Sequence, residues 1–160
     1  MTFKTADLLD DNEDKTLQVV QPGFQSYGAN KRFSGPISTI KTFEDNSLVR
    51  EAVAEEGKGR VLVIDSGGST RCAMLGDMLA EKAMKNGWSG VVIYGLIRDS
   101  ADINEMAIGV KALGTIPIKS VKRGVGFRDE AVHFHGADFV PGHYLYADED
   151  GIILSAEALL

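Results

Sequence analysis

The chain has 160 residues, 44% apolar and 25% charged, which is ordinary usage for one globular domain with a continuous core. Its net charge of −6 and pI of about 5.0 argue against direct nucleic-acid binding, which draws most of its affinity from a basic face, and permit a basic protein segment as partner. The one cysteine, Cys72, excludes an intrachain disulfide, suits a reducing compartment and reads as a buried free thiol rather than a nucleophile. No run of apolar residues reaches membrane length and no signal core opens the sequence, so the expected location is the cytoplasm, without membrane contact.

In chain order, Thr5 is placed to cap a first helix over residues 6–11. Residues 35–43 alternate like a half-buried strand. A helix follows over 47–56, with Leu48, Val49, Ala52 and Val53 at helical spacing and a stop at Gly57-Lys-Gly59. Residues 60–65 and 90–97 carry continuous apolar runs and read as strands buried on both faces. Between them, positions 74, 75, 78, 79 and 83 form one apolar stripe of a helix predicted over 74–86. Strand, glycine turn, helix and strand make a βαβ unit, with parallel pairing and a right-handed crossover. A short helix over 101–107 leads to a strand over 110–118. From Val125 the apolar segments 132–134, 139–140, 144–146 and 152–154 are short and broken by Gly, Pro or Asp, as in antiparallel structure. A parallel α/β half joined to a β-rich half predicts a layered β/β/α domain over 1–160, with no repeat or linker.

Three segments could carry chemistry. Asp65-Ser-Gly-Gly-Ser-Thr-Arg71 follows a buried strand, where a glycine-rich turn can aim backbone N–H groups at an anion, and it reads equally as a plain tight turn. Neither GxGxxG nor a Walker lysine is present, so nucleotide binding has no support. Leu75-Gly-Asp-Met-Leu79 opens the next helix, where free N–H groups favour a carboxylate ligand; Asp77 there is a helix starter or a catalytic acid. Ile97-Arg-Asp-Ser-Ala-Asp102 follows the second buried strand. Arg98 offers a planar donor fork for a carboxylate or enolate, and Asp99 a hard oxygen ligand for Mg²⁺ or Mn²⁺. Asp99 could equally cap a helix that has Asp102 at its third position. Together these segments bring two acids and an arginine to one sheet edge. His133 and His135 alternate on one face of a predicted strand without a third ligand nearby, and read as surface or packing residues. Lys122-Arg-Gly-Val-Gly126 reads as a solvated loop, and Trp88 and Tyr94 as packing residues.

Phe43-Glu-Asp-Asn-Ser-Leu-Val49, Arg71-Cys-Ala-Met-Leu-Gly-Asp77, Asn86-Gly-Trp88, Tyr94-Gly-Leu-Ile-Arg-Asp99, Lys122-Arg-Gly-Val-Gly126 and Tyr146-Ala-Asp-Glu-Asp-Gly-Ile-Ile153 are spread along nearly the whole chain. In these segments the sequence resembles the family of regulators of ribonuclease E activity A, which shares its fold with metal-dependent 4-hydroxy-4-methyl-2-oxoglutarate aldolases. The aldolase signature of that family is Asp, twenty residues, then Arg-Asp, matched here by Asp77, residues 78–97, Arg98 and Asp99. A variant signature adds an acid near Arg-Asp, and Asp102 stands there. Members that act only as ribonuclease regulators lack the aspartate after the arginine, so Asp99 favours an enzyme.

The resemblance implies a swivelling β/β/α (phosphohistidine-domain-like) fold, assembled as a homotrimer or a dimer of trimers with sites between subunits. It implies metal-assisted cleavage of a small 2-oxo acid with release of pyruvate, by retro-aldol reaction or by decarboxylation of oxaloacetate. Asp99, with Asp102, would hold a divalent cation, Mg²⁺ or Mn²⁺. Arg98 would stabilise the enolate, the backbone of Gly76, Asp77, Met78 and Leu79 would clasp the carboxylate, and Asp77 would position a water for proton transfer. The rival expectation is a non-catalytic inhibitor docked on ribonuclease E. Ser66 and Thr70 depart from the usual glycine and leucine of the first turn, and His135 interrupts a usual Phe-Gly-Gly. The sequence ends at Leu160 without the extension that longer aldolases carry into a neighbouring site. The methyltransferase label some relatives carry finds no nucleotide-type glycine motif here.

Overall fold

The structure is a computed structural model that describes residues 2–160. Its strands are β1 (Gln18–Val19), β2 (Gln25–Tyr27), β3 (Phe33–Lys41), β4 (Val61–Asp65), β5 (Ala73–Leu75), β6 (Gly90–Ile97), β7 (Gly109–Thr115), β8 (Phe127–Arg128), β9 (Val132–Phe134), β10 (Ala137–Phe139), β11 (Tyr144–Asp148) and β12 (Gly151–Ser155). Its helices are α1 (Thr5–Asp11), α2 (Ser47–Val53), α3 (Asp77–Lys85) and α4 (Ser100–Ile103). The main sheet runs β1-β12-β11-β3-β4-β6-β7-β2. Its centre, β3-β4-β6-β7, is parallel; the flanks are antiparallel. The long β3 changes partners along its length, pairing β11 at residues 33–36 and β4 at 37–41, and so curls the sheet.

Side-chain alternation explains the layering. In β4, Leu62 and Ile64 face a core shared with Val49, Ala52 and Val53 of α2 and Ala80 and Ala83 of α3. Val61 and Val63 point the other way, against Phe134 and Phe139 of the β9–β10 hairpin and Leu145 and Leu154 of β11–β12. Both faces of the parallel strands are therefore covered, which is why residues 61–64 and 91–93 read as unbroken apolar runs. Helix α1 lies outside, with Leu8 on Tyr146 and Ile153. The result is the mixed α/β, β/β/α arrangement expected from the sequence.

Several boundaries differ from expectation. Residues 73–75 are a buried strand, β5, paired in parallel with β6, and helix α3 starts only at Asp77. Met74 and Leu75 thus belong to the sheet, and Met78, predicted on the buried stripe, is 73% exposed. Gly76 between them is extended, which ends the strand before the helix can begin. Thr5 starts α1 but does not cap it; its hydroxyl donates to Asp148 Oδ1 at 2.7 Å. Strand β3 starts and stops two residues earlier than predicted, α2 ends at Val53, α4 is a single turn, and β7 ends at Thr115. Among the described residues no helix is long and apolar enough to cross a membrane.

Close approach at one glycine sets a stability prediction. Phe33 packs onto Gly109, where an added Cβ would lie 2.0 Å from the ring and 2.7 Å from Asn30 O. Gly109→Ala is expected to cost about 1–3 kcal/mol through overpacking, seen as a lower denaturant midpoint with an unchanged slope.

Candidate functional site

Strands β5 and β6 end side by side, with Arg98 N–H donating to Leu75 O at 2.9 Å. This pairing sets the residues after each strand, Gly76-Asp77 and Arg98-Asp99, against one another. Asp99 adopts a left-handed backbone (φ +57°), and its side chain does not cap α4. Its Oδ2 instead accepts the Asp77 N–H at 3.0 Å, on the open end of α3, and lies 4.0 Å from Arg98 Nε. Asp77 Oδ1 accepts the Met78 N–H at 2.8 Å. Gly76 leaves the space for this: a Cβ there would sit 2.8 Å from Asp99 Oδ2 and 3.3 Å from Arg98 Nε. Arg98 and Asp99 keep 40% and 35% of their side-chain surface exposed, open to a ligand.

Around these groups lies a cleft of about 280 Å³. Gly76, Asp77, Met78, Leu79, Arg98 and Asp99 all line it, so the structure brings together every predicted site residue but one. Asp102, exposed on α4, is outside the cleft lining. The cleft also collects residues that sequence spacing did not indicate: Asn46, Arg50, Lys82, Lys119, Ser120 and Lys122. Five cationic side chains therefore surround two carboxylates, on a chain whose net charge is −6. Such a local reversal of sign attracts small anions. Lys122 comes from the segment read as a solvated loop. Asn46 is 8% exposed; its Nδ2 donates to Met74 O at 3.4 Å, while its buried Oδ1 accepts no hydrogen bond from the described residues. The only sequence signal for this set is the excess of base over acid in Lys119–Arg123.

The other candidates have structural partners. In the turn after β4, Gly67 and Gly68 have φ of +66° and +70°, and the turn's amides serve the fold. Gly67 N–H donates to Asp65 Oδ1, and the Ser66 and Gly68 N–H groups to Tyr94 O. That turn is tight and structural, not an anion cradle. Arg71 pairs with Glu44, which lowers the Glu44 carboxyl from its usual range. Burial pushes the Cys72 thiol up, against a thiolate role. His133 bonds Asp138, whereas His135 sits in the hairpin turn at φ +45°, beside Gln21 O and the rings of Phe24 and Tyr94. The two imidazoles therefore do not share a strand face as predicted. Trp88 is buried, donating to Glu55 O, and Tyr94 stacks on Phe134.

The donor set can be tested against a divalent cation. Among the described residues no three His, Cys, Asp or Glu side chains cluster for one. Mg²⁺ does not need such a cage, since it keeps several waters and binds through one or two carboxylates plus substrate oxygens. Asp77 and Asp99 each use one oxygen on a backbone N–H, leaving the second oxygen for that role, so the residues fit.

A protein of Dechloromonas aromatica named "Putative 4-hydroxy-4-methyl-2-oxoglutarate aldolase" is 61% identical, covering 99% of both chains. One of the same name from Laribacter hongkongensis is 56% identical over the whole of both. Among solved structures, one described as S-adenosylmethionine:2-dimethylmenaquinone methyltransferase from Geobacillus kaustophilus superposes with a TM-score of 0.95 at 52% identity, covering 98% of this chain and 97% of that one. The RNA-processing inhibitor RraA from Thermus thermophilis gives 0.93 at 43%, covering 98% and 94%. The family profile described as RraA-like, aldolase/RraA, matches residues 5–154, and the chain belongs to that family.

Proposed function

We propose that the protein is a divalent-metal-dependent lyase that releases pyruvate from a small 2-oxo acid, as a 4-hydroxy-4-methyl-2-oxoglutarate aldolase, an oxaloacetate decarboxylase or both. The observation that carries this reading is the meeting of Asp77, Arg98 and Asp99 in a cleft ringed by cations. The names of the aldolase relatives agree with it.

In this reading Asp99, with Asp102 one turn further on, would hold Mg²⁺ or Mn²⁺. The cation supplies Lewis-acid polarisation of the 2-oxo group. Arg98 binds the oxygen that gains charge as the enolate forms, where its planar fork matches the pair of substrate oxygens. The amides of Asp77 and Met78 reach the substrate carboxylate only by releasing the side-chain oxygens they now bind. Leu79 completes that wall. The free oxygen of Asp77 orients a water that transfers the proton to the enolate carbon. Arg50, Lys82, Lys119 and Lys122 favour a dianionic substrate over a monoanionic one.

The test is oxaloacetate decarboxylation by purified protein. Mg²⁺ should give a protein-dependent rate, and EDTA should remove it. No rate with Mg²⁺, Mn²⁺ or Co²⁺ would overturn the enzyme reading. The second reading, inhibition of ribonuclease E by direct docking, is favoured by the likeness to the RNA-processing inhibitor. It predicts retained inhibition in variants that lack Asp99.

The enzyme works in this proposal as a cytoplasmic homotrimer, alone or as a dimer of trimers. Met78 in the cleft lining exposes 73% of its surface, and Ile118 and Val121, next in sequence to the cleft residues Lys119 and Lys122, expose 56% and 68%, apolar surface that association would cover. Light scattering should return three or six times the 17.2 kDa chain mass. A monomer at micromolar concentration would contradict the assembly.

A further inference from the structure

We propose that Asp45 is a positioning residue, whose buried carboxylate fixes the segment 121–125 so that Lys122 is presented to the cleft. The proposal rests on the reading of that cleft as an anion site. Residues 121–127 are all exposed, and residues 116–126 form no helix or strand beyond a single bridge at Lys119. Apolar burial therefore does little to hold Lys122 or its neighbours, and hydrogen bonds must do so.

Asp45 provides them. Its side chain is fully buried, yet it takes part in none of the salt bridges among the described residues. Oδ1 accepts the N–H and hydroxyl of Ser47 at 2.8 and 2.6 Å, at the start of α2. Oδ2 accepts the N–H groups of Arg123 and Val125 at 2.7 and 3.2 Å. One carboxylate thus joins the first turn of α2 to the loop that follows Lys122. Nearby bonds run the same way: Asn46 N–H donates to Ser120 Oγ at 3.2 Å, and Gly124 N–H to Ser47 Oγ at 3.2 Å. Burial alone would raise the Asp45 carboxyl, but its four hydrogen bonds outweigh burial and hold it far below the usual carboxylate range. It is an anion throughout the neutral range, so both oxygens remain acceptors.

Four donors on two oxygens explain the residue type. In asparagine one oxygen becomes an NH₂ that faces N–H groups, so either the α2 bonds or the loop bonds are lost. Asp45→Asn keeps size and polarity while untying one side. Gly124→Ala is the second variant; at φ +73° alanine is strained, yet its Cβ would meet nothing within 4 Å, so the strain falls on the loop alone.

The experiment measures hydrogen exchange across residues 121–125, together with binding of oxalate and of 2-oxoglutarate, a longer dianion. In Asp45→Asn, exchange at 121–125 should rise about tenfold or more, with β4 and β6 unchanged. Affinity for 2-oxoglutarate should fall about tenfold, while oxalate, short enough to stay on Arg98, keeps its affinity. Gly124→Ala should move both readouts the same way by less. Unchanged exchange in Asp45→Asn, or equal loss of both anions, would overturn the positioning role. Wild-type protein that binds neither anion would instead overturn the reading of the cleft.

Discussion

Asp99→Asn should lower metal-dependent turnover by about a thousandfold, the loss expected when several kcal/mol of Lewis-acid stabilisation disappear, while the melting temperature should stay that of the wild type. Asparagine is the informative replacement. Asp99 sits at φ +57°, a conformation that Asn adopts readily and Ala does not. Its side-chain oxygen can still accept the Asp77 N–H that Oδ2 accepts now. Only the negative charge and the proposed hard ligand are removed. Asp99→Ala should lose the same activity, plus about 1 kcal/mol of stability from the strained backbone. The helix-cap reading of Asp99 predicts the opposite pattern, stability lost and turnover kept, and the absence of a side-chain cap bond on α4 already argues against it. Retained turnover in Asp99→Asn, measured as pyruvate formed from oxaloacetate with Mg²⁺, would remove Asp99 from the chemistry.

Arg98 should separate binding from catalysis. A guanidinium that meets charge developing on the enolate contributes more in the transition state than in the bound substrate. Arg98→Ala is therefore expected to lower kcat by about a hundredfold or more while changing KM by a smaller factor. Lysine restores the charge but not the planar fork, so Arg98→Lys should recover only part of the rate. Oxalate, which mimics the pyruvate enolate, should compete with substrate in the wild type and bind more weakly to Arg98→Ala. Because the Arg98 side chain is 40% exposed, neither variant should melt more than a few degrees lower. Loss of stability with no selective effect on kcat or oxalate would mark Arg98 as structural.

The parts of the fold that the sequence made legible are those where one physical signal dominates. Residues 61–64 and 91–93 are apolar without a break because layers cover them on both sides, and they are indeed the central parallel strands. The short segments after Val125 alternate and turn at Gly and Asp, and they are the antiparallel layer. Residues 73–75 defeated the same logic. Met74 and Leu75 happen to fall in helical phase with Met78, Leu79 and Ala83, and three residues are too few to show a period of their own. Pairing of β5 with β6, a contact distant in sequence, decides that segment. The core of the site was legible because Arg98 and Asp99 follow directly on a predicted strand, Asp77 lies near the start of a predicted helix, and their spacing resembles the family signature. Its cationic wall was not. Arg50, Lys82, Lys119 and Lys122 come from separate elements and meet only in space. Asp45, which ties one of those elements down, looks in sequence like any acid before a helix.

The cation at Asp99 can be tested without knowing the physiological substrate. Mn²⁺ titrated into the protein and followed by electron paramagnetic resonance reports bound metal directly, and added oxalate reports whether an enolate mimic reaches that metal. Wild-type protein should bind Mn²⁺, with a spectrum that oxalate alters, and Asp99→Asn should show free Mn²⁺ under the same conditions. Equal Mn²⁺ binding by wild type and Asp99→Asn, or a wild-type spectrum indifferent to oxalate, would contradict the account.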